Sequence, residues 1–273
     1  MIGWLLTPWQ YAFFTRAVMA AVLVGLVGGV VGTYVVLKGM AFFGDALAHA
    51  ILPGIAIAYL MGGGSNQVLF WGALVAGLIA ALAISRLSER GRLSEDAAIG
   101  IVFAGMFALG IAIISTGRTF AVDLAHILFG NVLAVQPSDL ARMGIVVLLV
   151  VGVIVWFYRE LLIVTFDPVL ATTLRLPVVR LNDLLVVLIA LSIVVSLQTV
   201  GTALTLAMLI TPAATAQLVA VRFLPMMVLA TFIGVISGLV GLYISFYLSI
   251  ASGAAIVLTA TLIFGGIWLW KGR

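Results

Sequence analysis

An acid and an imidazole, Asp45 and His49, stand four residues apart in the apolar segment Gly44-Asp-Ala-Leu-Ala-His-Ala-Ile-Leu-Pro-Gly54. On an α-helix that spacing stacks both side chains on one face, about one turn apart. A carboxylate and an imidazole so placed can chelate one cation, the first supplying charge and the second a borderline nitrogen donor. They can equally hydrogen-bond to each other and neutralise both groups. Within hydrocarbon an ionisable side chain costs roughly 2.5–3.5 kcal/mol when unpaired, which makes it a functional candidate by default. Pro53 lies one further turn along the same face. Its missing N–H leaves the carbonyl of His49 without the usual helical partner. One helix offers only two side-chain ligands, whereas Zn²⁺ and Mn²⁺ take roughly four to six. Two copies meeting on a two-fold axis bring two carboxylates and two imidazoles, so the ligand count predicts a homodimer with a shared site.

Two further constellations can carry chemistry. Asp123 and His126 form a second acid–imidazole pair at i,i+3. They can serve as an external metal vestibule or simply as solvated groups at a hydrated helix end. Thr211-Pro212 interrupts an apolar run and frees the carbonyl of Met208. With Thr205, Thr215 and Gln217 it reads either as a broken, pathway-lining helix or as a kinked span whose hydroxyls re-satisfy its own backbone. Pro53, Thr211 and Pro212 are thus the candidates for lining a pathway. Cysteine is absent from the sequence, which excludes disulfides, thiolate metal sites and a cysteine nucleophile. No H-E-x-x-H, G-x-S-x-G or G-x-x-x-x-G-K-[ST] motif occurs, so neither hydrolase chemistry nor a nucleotide site is expected in this chain.

The elements that must position these residues are membrane helices. Of 273 residues, 65% are hydrophobic and 8% charged, and the mean hydropathy is +1.36. A soluble domain carries about 25% charge. Long apolar runs predict nine spans near 12–37, 41–61, 66–85, 97–116, 138–158, 182–199, 201–221, 225–247 and 250–270, with eight or ten as alternatives where Gly201 and Ser249 divide them. The class is all-α, a polytopic transmembrane bundle, and residues 1–273 form one membrane domain. The 29 glycines suit close helix packing in lipid. The N-terminus has no basic region followed by a small-residue cleavage site, so no removable signal peptide is expected.

Basic residues set the orientation. With the Arg86–Arg92 turn in the cytoplasm, Lys38, Arg86, Arg90, Arg92, Arg159, Arg175, Arg180, Arg222, Lys271 and Arg273 all fall inside, and only Arg16, Arg118 and Arg142 fall outside. The net charge of +4 therefore reflects topology, not nucleic-acid binding. Residues 117–137 lie outside and read as a partial or re-entrant helix. The cytoplasmic connection 159–181 contains Asp167-Pro168, an N-cap followed by proline at the first helical position, with Pro177 downstream as a stop. A short surface helix over 167–179 is expected.

Five blocks, taken in order, resemble the membrane permeases of bacterial ATP-binding-cassette importers for manganese, zinc and iron(II). They are LKGMAFFGDALAHAILPGIAIAYL (37–60), EDAAIGIVFAGMFALGI (95–111), DLAHILFGNVLAVQ (123–136), TFDPVLATTLRLPV (165–178) and VGTALTLAMLITPAATAQL (200–218). The resemblance implies a type II-like importer permease in the cytoplasmic (inner) membrane, a homodimer, two cytoplasmic ATPase subunits that use the ATP, and an extracellular solute-binding protein that delivers the ion. It implies no covalent cofactor and no catalysis by this chain. Asp45 and His49 match the family's ion-coordinating pair. Asp167, Pro168, Ala171 and Leu174 match the coupling helix that docks in the ATPase. The block at 123–136 is closer to manganese-type members. Arg175 departs from the pattern, which has glycine before the proline.

The expected cargo is therefore Mn²⁺, with Zn²⁺ or Fe²⁺ as the alternatives that nitrogen and oxygen ligands leave open. Two other mechanisms compete with ATP-driven import. A proton-coupled transporter would use Asp45–His49 as a relay, and an intramembrane metallo-hydrolase would use the pair to hold a catalytic zinc. For the hydrolase, the segment supplies no additional acid to act as general base.

Overall fold

A computed structural model describes residues 7–62, 65–89, 93–116 and 132–271. Its helices are α1 (Ala12–Leu37), α2 (Phe43–Ala50), α3 (Leu52–Gly62), α4 (Asn66–Glu89), α5 (Glu95–Ser115), α6 (Pro137–Trp156), α7 (Tyr158–Phe166), α8 (Pro168–Thr173), α9 (Val178–Val200), α10 (Thr202–Val219), α11 (Phe223–Leu248) and α12 (Ser252–Lys271). Among the described residues nine spans are long and apolar enough to cross a membrane, with α2 and α3 together forming the second. They coincide with the nine apolar segments of the sequence. No strand occurs among the described residues.

The chain divides into two compact units. One gathers residues 1–36, 129–149 and 196–273, and the other residues 37–128 and 150–195. In the first, α1 lies directly on the backbone of α10 at its proline. A Cβ on Gly28 would stand 2.6 Å from the carbonyl oxygen of Met208, and one on Gly32 would meet the carbonyl of Leu209. Met208 is the residue whose carbonyl Pro212 deprives of its helical donor. Small residues thus allow one backbone to approach another, as packing in lipid requires. The hydroxyls of Thr205 and Thr215 donate to the carbonyls of Gly201 (2.7 Å) and Thr211 (2.6 Å) within α10 itself. At the other end of this unit, Lys271 donates to the carbonyl of Leu218 in the last turn of α10, as suits a cation at a helix C-terminus.

In the second unit α3 crosses α4 at two glycines. A Cβ on Gly54 would meet the Gly72 carbonyl and lie 2.6 Å from Ala76 Cβ, and one on Gly72 would meet the Gly54 carbonyl. On the other side of this span, a Cβ on Gly110 of α5 would be 2.8 Å from Leu52 Cβ and 3.2 Å from the Pro53 nitrogen. The second span is therefore fixed between α4 and α5.

The connection after α6 differs from the sequence expectation in two respects. Residues 158–166 form α7, where a plain connection was expected; Phe157, at φ −99° and ψ 23°, separates it from α6. The surface helix expected over 167–179 is only α8, ending at Thr173. Its start follows the sequence signal: Asp167 accepts from the Leu170 N–H at 2.8 Å, with Pro168 in the first turn. Its end is set by Arg175, which takes the left-handed conformation at φ 56°. The N–H of Arg175 then reaches the Thr172 carbonyl and that of Leu176 the Ala171 carbonyl, both at 3.0 Å, a Schellman termination. Pro177 begins the next span, since its carbonyl accepts from Leu181. A left-handed L-residue costs roughly 1–2 kcal/mol, which glycine avoids at some loss of backbone entropy. Arg175→Gly is expected to stabilise the protein by roughly 0.5–1 kcal/mol, seen as a raised unfolding midpoint in detergent.

Candidate functional site

Helix α2 is entered through Gly39, at φ +72°, a left-handed turn in which nothing surrounds the position of a Cβ. Its eight residues then bury Phe43, Gly44, Ala46, Leu47, Ala48 and Ala50. The remaining stripe holds the two polar residues, Asp45 with 57% of its side chain exposed and His49 with 34%. The i,i+4 stacking expected from the sequence is therefore present, and it lies on the open side of the helix.

The two groups are near but not bonded. His49 Nε2 stands 3.9 Å from Asp45 Oδ1, beyond hydrogen-bonding distance. A cation about 2.2 Å from each donor would fit that 3.9 Å gap at an angle of roughly 125°. His49 Nδ1 is buried with no hydrogen-bond partner among the described residues, leaving Nε2 as the nitrogen that faces the carboxylate. The ring is located by aromatic packing. Phe103 and Phe107 of α5 meet it edge-on, at centroid distances of 5.7 and 5.5 Å, and are stacked on each other.

Beside the pair lies a cavity of about 260 Å³ lined by Phe42, Asp45, Ala46, Asp96, Ile99, Gly100 and Phe103. Asp96 sits in the first turn of α5, whose N-cap Ser94 accepts from the Ala97 N–H. Asp45 likewise lies in the first turn of α2. Both carboxylates thus stand at helix N-termini, whose partial positive charge favours anions and disfavours a cation. Any cation held here depends on carboxylate charge to overcome that field. Among the described residues no group of three or more His, Asp, Glu or Cys is placed to hold a metal ion.

The other sequence candidates fall as follows. Pro53 is buried at the start of α3, and the Ile51 N–H at the cap donates to the Leu47 carbonyl at 3.2 Å. Thr211 is half-buried and Pro212 buried; they belong to the unit that does not contain Asp45. Asp167 and Pro168 begin α8, Ala171 is its buried residue, and Leu174 is exposed just after it. Asp123 and His126 lie outside the described residues. Sequence reasoning passed over Asp96, Phe103 and Phe107. Their signal is a helical stripe at 96, 100, 103 and 107 on the span that follows the charged turn.

These helices and their crossings define a multi-pass helical membrane protein. The description ABC 3 transport family matches residues 10–270, and the chain belongs to that family. It is similar to a Listeria monocytogenes protein named manganese transport system membrane protein MntC, at 47% identity over 255 residues, 93% of this chain and 89% of the relative. It is also similar to a Haemophilus influenzae protein named probable iron transport system membrane protein, at 36% identity over 264 residues, 97% and 92% of the two chains. Among solved structures, PsaBC from Streptococcus pneumoniae in complex with Fab superposes with a TM-score of 0.82 and 39% identity, covering 98% of this chain and 95% of that one. The fold is that of an importer permease, and the protein is a multi-pass component of the bacterial cytoplasmic membrane.

Proposed function

We propose that the chain is the permease subunit of an ATP-driven Mn²⁺ importer, a single membrane domain that works as a homodimer. The observation that carries this reading is the Asp45–His49 pair: two donors on the open face of one helix, too far apart to satisfy each other and too few to complete a site. The two-fold copy supplies the second carboxylate and the second imidazole. Two ATPase subunits dock on α8 through the exposed Val169, Leu170 and Leu174, and a solute-binding protein delivers the ion from outside. Asp123 and His126 form an external vestibule on this reading. Pro53, Thr211 and Pro212 are the candidates for lining the path.

The manganese-named relative supports Mn²⁺, and the iron-named relative supports Fe²⁺ as the second reading. Zn²⁺ fits the donor set as well, since intrinsic affinity for such ligands rises from Mn²⁺ toward Zn²⁺. Selection of Mn²⁺ therefore lies in geometry, availability or delivery. Elemental analysis of cells lacking the chain tests this directly. A manganese deficit with normal zinc and iron is expected, and a selective zinc or iron deficit overturns the choice of ion. Uptake that follows the pH gradient and survives deletion of the ATPase would replace the ATP-driven mechanism with a proton-coupled one.

A further inference from the structure

Two polar residues near the start of α9, Asn182 and Asp183, take no part in the site above. Asp183 accepts from Ser85 Oγ at 2.9 Å and from the Arg86 guanidinium at 2.5 Å, both near the end of α4. Asn182 donates to Ser85 Oγ at 3.4 Å, and its Oδ1 accepts from Lys38, just beyond the end of α1. Three helix ends are thus tied at one point. Ser85 is buried and Asp183 largely so, with 14% of its side chain exposed. A carboxylate so placed persists only when paired, which fixes the start of α9 against Ser85 and Arg86.

Along the chain, the cluster is joined to α8 through residues 174–181 and to the Asp45–His49 helix through Lys38 and Gly39. Toward α8, the connection is hydrogen-bonded throughout: the N–H groups of Leu174, Arg175, Leu176 and Val178 all have carbonyl partners, and Pro177 has no N–H to satisfy. A displacement of α8 is therefore passed to α9 instead of being absorbed between them. Toward the site, Lys38 is followed by Gly39, whose positive φ and open surroundings make it the compliant point. Four residues later α2 begins, carrying Asp45 and His49.

We propose that Lys38, Ser85, Arg86, Asn182 and Asp183 form the joint that converts displacement of α8 into reorientation of α2 about Gly39. The proposal rests on the reading of Asp45–His49 as the ion site and of α8 as the ATPase dock. The cluster is a positioning element: the hydrogen bonds described for its members run between one another and not to Asp45 or His49. Two discrete arrangements of such a linked network can couple distant sites by about 5–150-fold.

The test uses the full complex in proteoliposomes, with Mn²⁺ as the transported probe. Asp183→Asn is expected to keep ATP hydrolysis within about twofold of wild type and to lower Mn²⁺ moved per ATP by about tenfold. The Mn²⁺ concentration for half-maximal uptake stays unchanged. A merely structural anchor would instead reduce assembled complex or its thermal midpoint with Mn²⁺ per ATP unaltered, and that result overturns the proposal. If Asp183→Asn fails to assemble, Gly39→Ala, which meets no described neighbouring atom but disfavours the positive φ of that turn, is read the same way; unchanged Mn²⁺ per ATP overturns the proposal there too. Asp45→Ala in the same vesicles separates the two readings. Retained uptake in that variant refutes the ion site itself, whereas lost uptake alongside a fully coupled Asp183→Asn refutes only the joint.

Discussion

Replacing Asp45 with alanine is expected to lower manganese accumulation by at least about 100-fold while leaving the chain in the membrane. The magnitude follows from ligand counting. Residues that merely support a metal ligand are worth about 10–100-fold in affinity, and this substitution removes two of the four donors of a two-fold site at once. His49→Ala is expected to do the same, because it removes the only side-chain nitrogens of the site. Neither change should unfold the protein. The pair is 3.9 Å apart and more than a third of its combined surface is open, and an exposed contact of this kind contributes about 0–1 kcal/mol. Membrane abundance by immunoblot, measured beside whole-cell manganese, distinguishes a lost site from a lost fold. Undiminished manganese in both variants would show that ions cross elsewhere.

Gly54→Val is expected to have the largest effect on folding. The new Cβ would collide with the Gly72 carbonyl oxygen and press on Ala76 Cβ at 2.6 Å. A flexible side chain could swing away from such a clash, but a helix backbone cannot. The cost should therefore reach the upper end of the usual penalty for overpacking, about 3 kcal/mol, a large part of a typical stability of about 5–15 kcal/mol. It would be seen as loss of monodisperse protein on size-exclusion chromatography in detergent. Gly265→Ala, where nothing lies within 4 Å of the added carbon, should elute as wild type. The comparison matters for function because the same crossing holds α3, and with it α2, against α4.

The parts of this architecture that were legible in the sequence are those that depend on local pattern. Nine apolar runs became nine spans among the described residues because length and hydropathy alone decide what fits a bilayer. Asp167-Pro168 gave the start of α8 because an N-cap followed by proline acts within one turn. Asp45 and His49 share a face because helical period fixes it. What escaped depends on conformation or on distant neighbours. Arg175 adopts a left-handed turn that its residue type disfavours, so α8 stops at Thr173 and not near 179. Asp96, Phe103 and Phe107 acquire their relation to Asp45 and His49 only through the packing of α5 on α2. No spacing within 95–111 states which helix that face will meet.

We propose that one chain supplies half of a cation site. The most direct test is the stoichiometry of Mn²⁺ bound at saturation by the purified protein, determined by elemental analysis after equilibrium dialysis, for wild type and Asp45→Ala. One ion per two chains is expected in the wild type and none specifically bound in the variant. One ion per chain, or a stoichiometry that Asp45→Ala leaves unchanged, would contradict it.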